Sequence, residues 1–79
     1  MDHSAAIAAL KDELEIRTKD AEFLEEGVAK MKIARLLTPD HIRVDAIMRW
    51  TRKLENQQAN IMSLQATINF LEHLSLKED

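Results

Sequence analysis

Seven basic side chains in the middle of the chain form the densest group of residues that could bind a ligand. Residues 30–53 carry a net charge of +5, whereas residues 1–29 carry −5 and residues 54–79 carry −3. Trp50 lies among these cations. Such a cluster could dock nucleic acid or an acidic protein surface. We favour the alternative of a solvated face that meets the acidic end of a neighbouring molecule. The candidate residues, called the basic tip below, are Lys30, Lys32, Arg35, Arg43, Arg49, Arg52 and Lys53.

Residue types that serve catalysis and metal binding are present, but their spacing does not form a site. His41 and Asp45 lie one helical turn apart and supply two potential ligands, fewer than a metal site needs. The acidic run from Asp12 to Glu26 contains no Glu followed three residues later by His, the spacing of di-iron bundles. We therefore interpret this run as a solvated helix face. Because one Gly cannot build a phosphate loop and no nucleophile motif is present, the sequence predicts no enzyme, no cofactor and no metal.

One strong break, Leu37-Thr38-Pro39-Asp40, divides the chain into two helical segments. Pro39 suits the first position of a helix, and Thr38 before it can cap that helix. A residue that precedes proline is also pushed out of helical geometry. The sequence therefore predicts a single all-α domain over residues 1–79, made of a helix over about 4–37, a turn at about 37–39 and a helix over about 39–75.

Apolar residues recur at three- and four-residue spacing in both helices, the pattern of a coiled-coil seam. If the chain folds back at Leu37–Thr38, the two seams oppose each other layer by layer, and the polar Arg17 faces the polar Gln57. This agreement favours an antiparallel hairpin, although a long bent helix paired with a second chain would make the same contacts. The polar layer would fix the register or bind a partner group. The seam residues are Ile7, Leu10, Leu14, Arg17, Ala21, Leu24, Val28 and Met31, then Val44, Ile47, Trp50, Leu54, Gln57, Ile61, Leu64, Ile68 and Leu71.

A second set of apolar residues lies off the seam, on one side of the predicted hairpin. Small residues between them would let another helix approach closely. Gly27 costs about 1 kcal/mol against Ala inside a helix, so we expect it to have a packing role. A hairpin this short has little core of its own. We therefore expect this side to be buried against another protein or a second copy, which would complete a four-helix bundle. The candidate interface, called the apolar flank below, is Ile16, Phe23, Gly27, Leu37, Ile42, Phe70 and Leu74.

The composition excludes several classes of protein. The 79 residues include no Cys, which rules out a disulfide scaffold and a thiolate zinc site. The longest apolar run, Ala5–Leu10, is six residues long, whereas a membrane span needs about 20. The net charge of −3 argues against general affinity for nucleic acid or membrane surfaces. We therefore predict a cytoplasmic protein that binds no membrane.

In outline the chain resembles the small helical hairpin co-chaperones of bacterial type III secretion needles, which are similar in size, lack Cys and carry a Pro near the turn, here Leu37-Thr38-Pro39. This likeness of architecture assigns no residue a role. The predicted function is non-enzymatic protein–protein association, as an adaptor, chaperone or inhibitor, through the apolar flank and self-association as a dimer. The alternative is an anion- or nucleic-acid-binding module that uses the basic tip.

Overall fold

The computed structural model is a hairpin of two long helices, and it describes residues 3–38 and 43–77. Helix α1 spans Ser4–Leu37 and helix α2 spans Val44–Lys77. The described residues contain no strand, which confirms the all-α prediction for this part of the chain. The molecule measures 62 × 14 × 12 Å. It is therefore a single layer, two helices wide, in which each helix has one helical neighbour within the chain.

Side-chain contacts between the helices show that they run antiparallel. Arg17 donates from Nη1 to Oε1 of Gln57 at 3.1 Å. Lys11, nearer the start of α1, approaches Glu72, nearer the end of α2, with Nζ and Oε1 3.7 Å apart. Because α1 and α2 of the same chain pack together, the prediction of a helical hairpin is confirmed. The predicted layer of Arg17 and Gln57 is confirmed as well.

The predicted seam follows the contact between α1 and α2. Ala21, Val28 and Ile68 are the buried apolar residues of the described chain, and all three lie on the seam. The other seam residues are half-buried, with the exception of Val44, which is 47% exposed. Val44 precedes Ile47 by three residues where the heptad alternation requires four, so it turns away from α1.

The end of α1 differs from the prediction that Thr38 caps the second helix. The backbone N–H of Thr38 donates to the carbonyl oxygen of Ala34 at 2.7 Å, and the Thr38 hydroxyl donates to the same oxygen at 2.9 Å. Carbonyls in the last turn of a helix lack intrahelical partners, so Thr38 satisfies one of them. It ends α1, and the predicted role of Pro39 lies outside the described residues.

Helix α2 begins at Val44, about five residues later than the pattern predicts. The N–H groups of Ala46 and Ile47 donate to the carbonyl oxygen of Arg43 at 3.2 and 3.4 Å. Asp45 stands in the first turn, where a carboxylate stabilises the partial positive charge of a helix N-terminus. This favourable charge supports a helix start at Val44, whereas the preference of proline for the first helical position predicts a start at Pro39.

Candidate protein-association surface

Large apolar side chains of the apolar flank remain in solvent. Phe23 is 67% exposed and Phe70 is 60% exposed. The packing of α1 on α2 therefore leaves both rings uncovered. Of the remaining flank residues, Ile16 and Leu37 are exposed, Gly27 and Leu74 are half-buried, and Ile42 lies outside the described residues.

Two surface pockets show that the flank residues of both helices open to one side of the hairpin. One pocket lies between Glu13 of α1 and Ser63 of α2, and another is lined by Phe23 and Gly27. A heptad step keeps a residue on the same face of a packed helix. Gly27 follows Glu13 by two heptads and so shares its face. Phe70 follows Ser63 by one heptad, so it opens to the same side as Phe23.

Gly27 occupies its position in α1 because Trp50 of α2 lies directly against it. A Cβ atom at position 27 would lie 2.6 Å from Cζ3 of the indole, much closer than apolar atoms approach in ordinary contact. The indole also meets the Phe23 ring, with ring centroids 6.3 Å apart and the planes tilted by 39°, a favourable aromatic arrangement. The expected packing role of Gly27 is confirmed, and the helix that approaches it is α2 of the same chain.

A polar pocket, called the Arg17 pocket below, interrupts the apolar flank. Arg17 Nε donates to Glu13 Oε1 at 2.8 Å, and Nη1 donates to Gln57 Oε1 at 3.1 Å. These bonds use two of the five N–H donors of the guanidinium. The side chains of Asn60 and Ser63 have no hydrogen-bond partner within the described residues. The pocket thus retains donors and acceptors for a partner, and its lining is Glu13, Arg17, Asn60, Ser63, Leu64 and Thr67.

Glu13 corrects one detail of the sequence interpretation, which placed it on a solvated acidic face. The structure shows Glu13 half-buried and ion-paired to Arg17. The available signal was the spacing, because a Glu four residues before a basic residue favours an ion pair on a helix. Spacing did not reveal the burial, which depends on α2 lying beside the pair.

Three cations of the basic tip are ion-paired. Lys30 approaches Glu26 at 3.1 Å. Arg43 and Arg49 share the carboxylate of Asp45, at 3.1 and 3.9 Å. These pairs are exposed and contribute little to stability, but they neutralise part of the positive charge that the sequence places in this region.

The remaining cations of the basic tip differ in exposure. Arg35 is half-buried in the last turn of α1, where a cation offsets the partial negative charge of the helix end. Lys32, Arg52 and Lys53 are exposed and take part in no ion pair within residues 3–38 and 43–77. The predicted residues extend from the turn end of the hairpin to about its middle, where Lys53 lies four residues from Gln57, and only Lys32, Arg52 and Lys53 are exposed cations without a described ion pair.

The described residues were also compared with the requirements of a metal site and of a membrane-spanning helix, and they meet neither. Within residues 3–38 and 43–77, no three His, Asp or Glu side chains stand close enough together to hold a metal ion. His41, which the sequence pairs with Asp45, lies outside these ranges. Neither described helix has a stretch apolar enough to cross a bilayer.

No protein-family model, curated protein or solved structure matches this chain. The likeness to the type III secretion co-chaperones therefore stays a prediction drawn from outline alone.

Proposed function

We propose that the chain is a non-enzymatic protein-association module that pairs with a second copy through the apolar flank and so completes a four-helix bundle. The observation that carries the proposal is the exposure of Phe23 and Phe70 on one side of the hairpin. The hairpin has little core of its own, since the buried apolar residues of the described chain are Ala21, Val28 and Ile68. A thin layer of two helices gains stability when its second apolar stripe is covered.

The energy available from covering the flank supports this proposal. Burial of one Phe side chain contributes about 1.5–3 kcal/mol. Because Phe23 is 67% and Phe70 60% exposed, a symmetric pair that covers both rings of both copies gains roughly 4–8 kcal/mol before the cost of association is subtracted. That cost is of similar size, so we expect a dimer whose affinity depends strongly on each phenylalanine.

Light scattering behind size exclusion, over a dilution series, tests the proposal. We expect the native chain to be a dimer at micromolar concentration. Phe23→Asp and Phe70→Asp should each weaken the dimer at least about 100-fold, because each change removes two buried rings per dimer. Helical circular dichroism should persist in both variants, since neither ring is part of the seam.

Met62→Asp is the matched control, because Met62 is 73% exposed but does not belong to the apolar flank. It should leave the dimer intact. Loss of the dimer in Met62→Asp but not in Phe23→Asp would show that another surface associates. A native chain that stays monomeric throughout the dilution series would contradict self-association.

Anion binding at the basic tip is a second candidate function, favoured by the exposure of Lys32, Arg52 and Lys53 without described ion pairs. Binding to a labelled nucleic-acid oligomer should then weaken steeply with added salt. Changing Arg52 and Lys53 together to Ala should reduce both the affinity and the salt dependence. Failure to bind at low salt would remove this candidate.

A further inference from the structure

The placement of the two exposed phenylalanines gives the proposed dimer a centre and a direction. We infer that two copies pack flank to flank and antiparallel, about a two-fold axis that passes through the Arg17 pocket. This inference rests on the self-association proposed above, and it adds which parts of the two copies meet.

Phe23 and Phe70 lie at similar distances on either side of the Arg17 pocket. Arg17 opposes Gln57 in the hairpin. Phe70 lies thirteen residues beyond Gln57, and since the helices are antiparallel it is about level with the first turn of α1, thirteen residues before Arg17. The midpoint between that level and Phe23 falls beside Glu13. Each ring is therefore about 14 Å along the helix axis from this midpoint. A two-fold axis there brings Phe23 of one copy level with Phe70 of the other.

The same axis places large side chains next to small ones. It stacks α1 on α1 and α2 on α2, each pair running antiparallel. Ile16 then lies near Ala9 of the second copy, and Leu74 lies near Ala46 of the second copy. Alternation of large and small residues lets helices interdigitate without voids. In this register the small residues of the flank make room for large side chains of the second copy.

Charge favours the antiparallel arrangement over a parallel one. Parallel copies would set two segments of charge +5, residues 30–53, against each other. Antiparallel copies instead bring the cations of this segment that lie on α2, from Arg43 to Lys53, towards the end of α2 in the second copy, which belongs to the acidic residues 54–79 and contains Glu72. Attraction between unlike patches orients two partners as they meet, and antiparallel neighbouring helices also align their dipoles favourably.

The Arg17 pockets of the two copies face each other at the two-fold axis, so each pocket receives polar partners from the other copy. The ion pair of Glu13 and Arg17 lies beside its symmetry mate, so positive and negative charges alternate across the interface. Asn60 and Ser63, whose side chains have no hydrogen-bond partner within the described residues, meet their counterparts. A shifted register would place these polar groups against apolar rings, so the pocket penalises misalignment.

The area of contact is sufficient for a dimer. The arrangement overlaps the two copies of α2 over about 34 residues, or about 50 Å, and the two copies of α1 over about 20 residues, or about 30 Å. The width of the layer is close to its smallest extents of 14 and 12 Å. The contact therefore covers about 500 Å² on each copy and about 1,000 Å² in total, the minimum expected of a specific interface.

Cysteine cross-linking tests the axis directly, because the native chain contains no Cys. Asn60→Cys places a thiol next to the axis, and a short bis-maleimide should join two copies of this variant efficiently. Gln58→Cys is the matched control, since its side chain points to the opposite side of the same turn of α2. We expect about tenfold less covalent dimer from the control, because only chance encounters bring its thiols together.

A mixture of Lys53→Cys and Thr67→Cys chains tests the antiparallel direction. These residues flank the axis on α2, so joined products should contain one chain of each kind, as read by mass spectrometry. The like pairs are about 20 Å apart in the inferred dimer and should be several-fold scarcer. All four positions are exposed, and circular dichroism verifies that each variant remains helical.

Light scattering on the native chain distinguishes failure of the proposed dimer from failure of the inferred axis. A monomer overturns the proposed dimer, and the inferred axis with it. A dimer in which Asn60→Cys links no better than Gln58→Cys, or in which Lys53→Cys links chiefly to itself, overturns the inferred axis and leaves the proposed dimer standing.

Discussion

The seam and the apolar flank are both stripes of apolar residues at heptad spacing, yet only the seam is covered within the chain. Ile68 on the seam is 1% exposed, whereas Phe70 on the flank is 60% exposed. Two residues along a helix turn a side chain by about 200°, so one side chain enters the contact with α1 and the other enters solvent. A two-helix hairpin therefore covers one apolar stripe within the chain and leaves the second in solvent.

Substitutions on the seam should unfold the hairpin, whereas substitutions on the flank should weaken only its association. Ile68→Asp should abolish most helical circular dichroism at 25 °C, because it buries an unpartnered carboxylate and costs several kcal/mol. That cost is a large part of the total stability of a small domain, about 5–15 kcal/mol. Phe70→Asp, two residues away, should retain the helical signal. Equal loss of the helical signal in both variants would show that the seam and the flank do not differ in their contribution to folding.

Gly27→Ala should have an intermediate effect, because position 27 belongs to the flank but touches the seam residue Trp50. The added Cβ forces the indole to move, at a cost of about 1–3 kcal/mol, while the helix gains about 1 kcal/mol from replacing Gly. We expect a net loss of about 1 kcal/mol in urea unfolding.

The Trp50→Leu background provides the control for Gly27→Ala. Without the indole above position 27, the same change should stabilise the helix by about 1 kcal/mol. If Gly27→Ala destabilises both backgrounds equally, the close approach of Trp50 is not the reason that Gly occupies this position.

A loss of similar size, which a second substitution should largely reverse, is expected at the polar layer where the seam meets the flank. Arg17→Met alone removes the partner of both Glu13 and Gln57 and should cost about 1 kcal/mol. Adding Gln57→Leu should recover most of that loss, since an apolar pair can replace a polar pair of similar shape at little cost. A double-mutant cycle in urea measures the coupling, and strictly additive losses would show that the two side chains act independently.

Much of the fold could be predicted because the seam repeats along both helices. Eight predicted layers constrain one another, and the confirmed pair of Arg17 and Gln57 anchors them at 3.1 Å. The start of α2 was harder to predict, since the Pro39 signal points to a helix start whereas α2 begins at Val44. Local signals of this kind compete with tertiary packing and shift element ends by a few residues.

The candidate surface could be predicted only in part. Heptad positions alone place Phe23 and Phe70 on a shared flank, and both are exposed in the structure. The Arg17 pocket was not foreseen as a pocket, because its lining comes from two helices and depends on how far apart they stand. The pairing of Asp45 with both Arg43 and Arg49 likewise depends on rotamers that spacing does not specify.

Residue spacing was enough to predict that two helices form, which stripe joins them and that a second apolar stripe is left over, because helical periodicity converts spacing directly into direction. The packing of α1 on α2 explains why Gly27 makes room for Trp50 of the same chain, with a Cβ position 2.6 Å from the indole, and why Glu13 and Arg17 form a half-buried polar centre. Those outcomes depend on the separation and offset of the two helices, which are set by the shapes of the side chains between them.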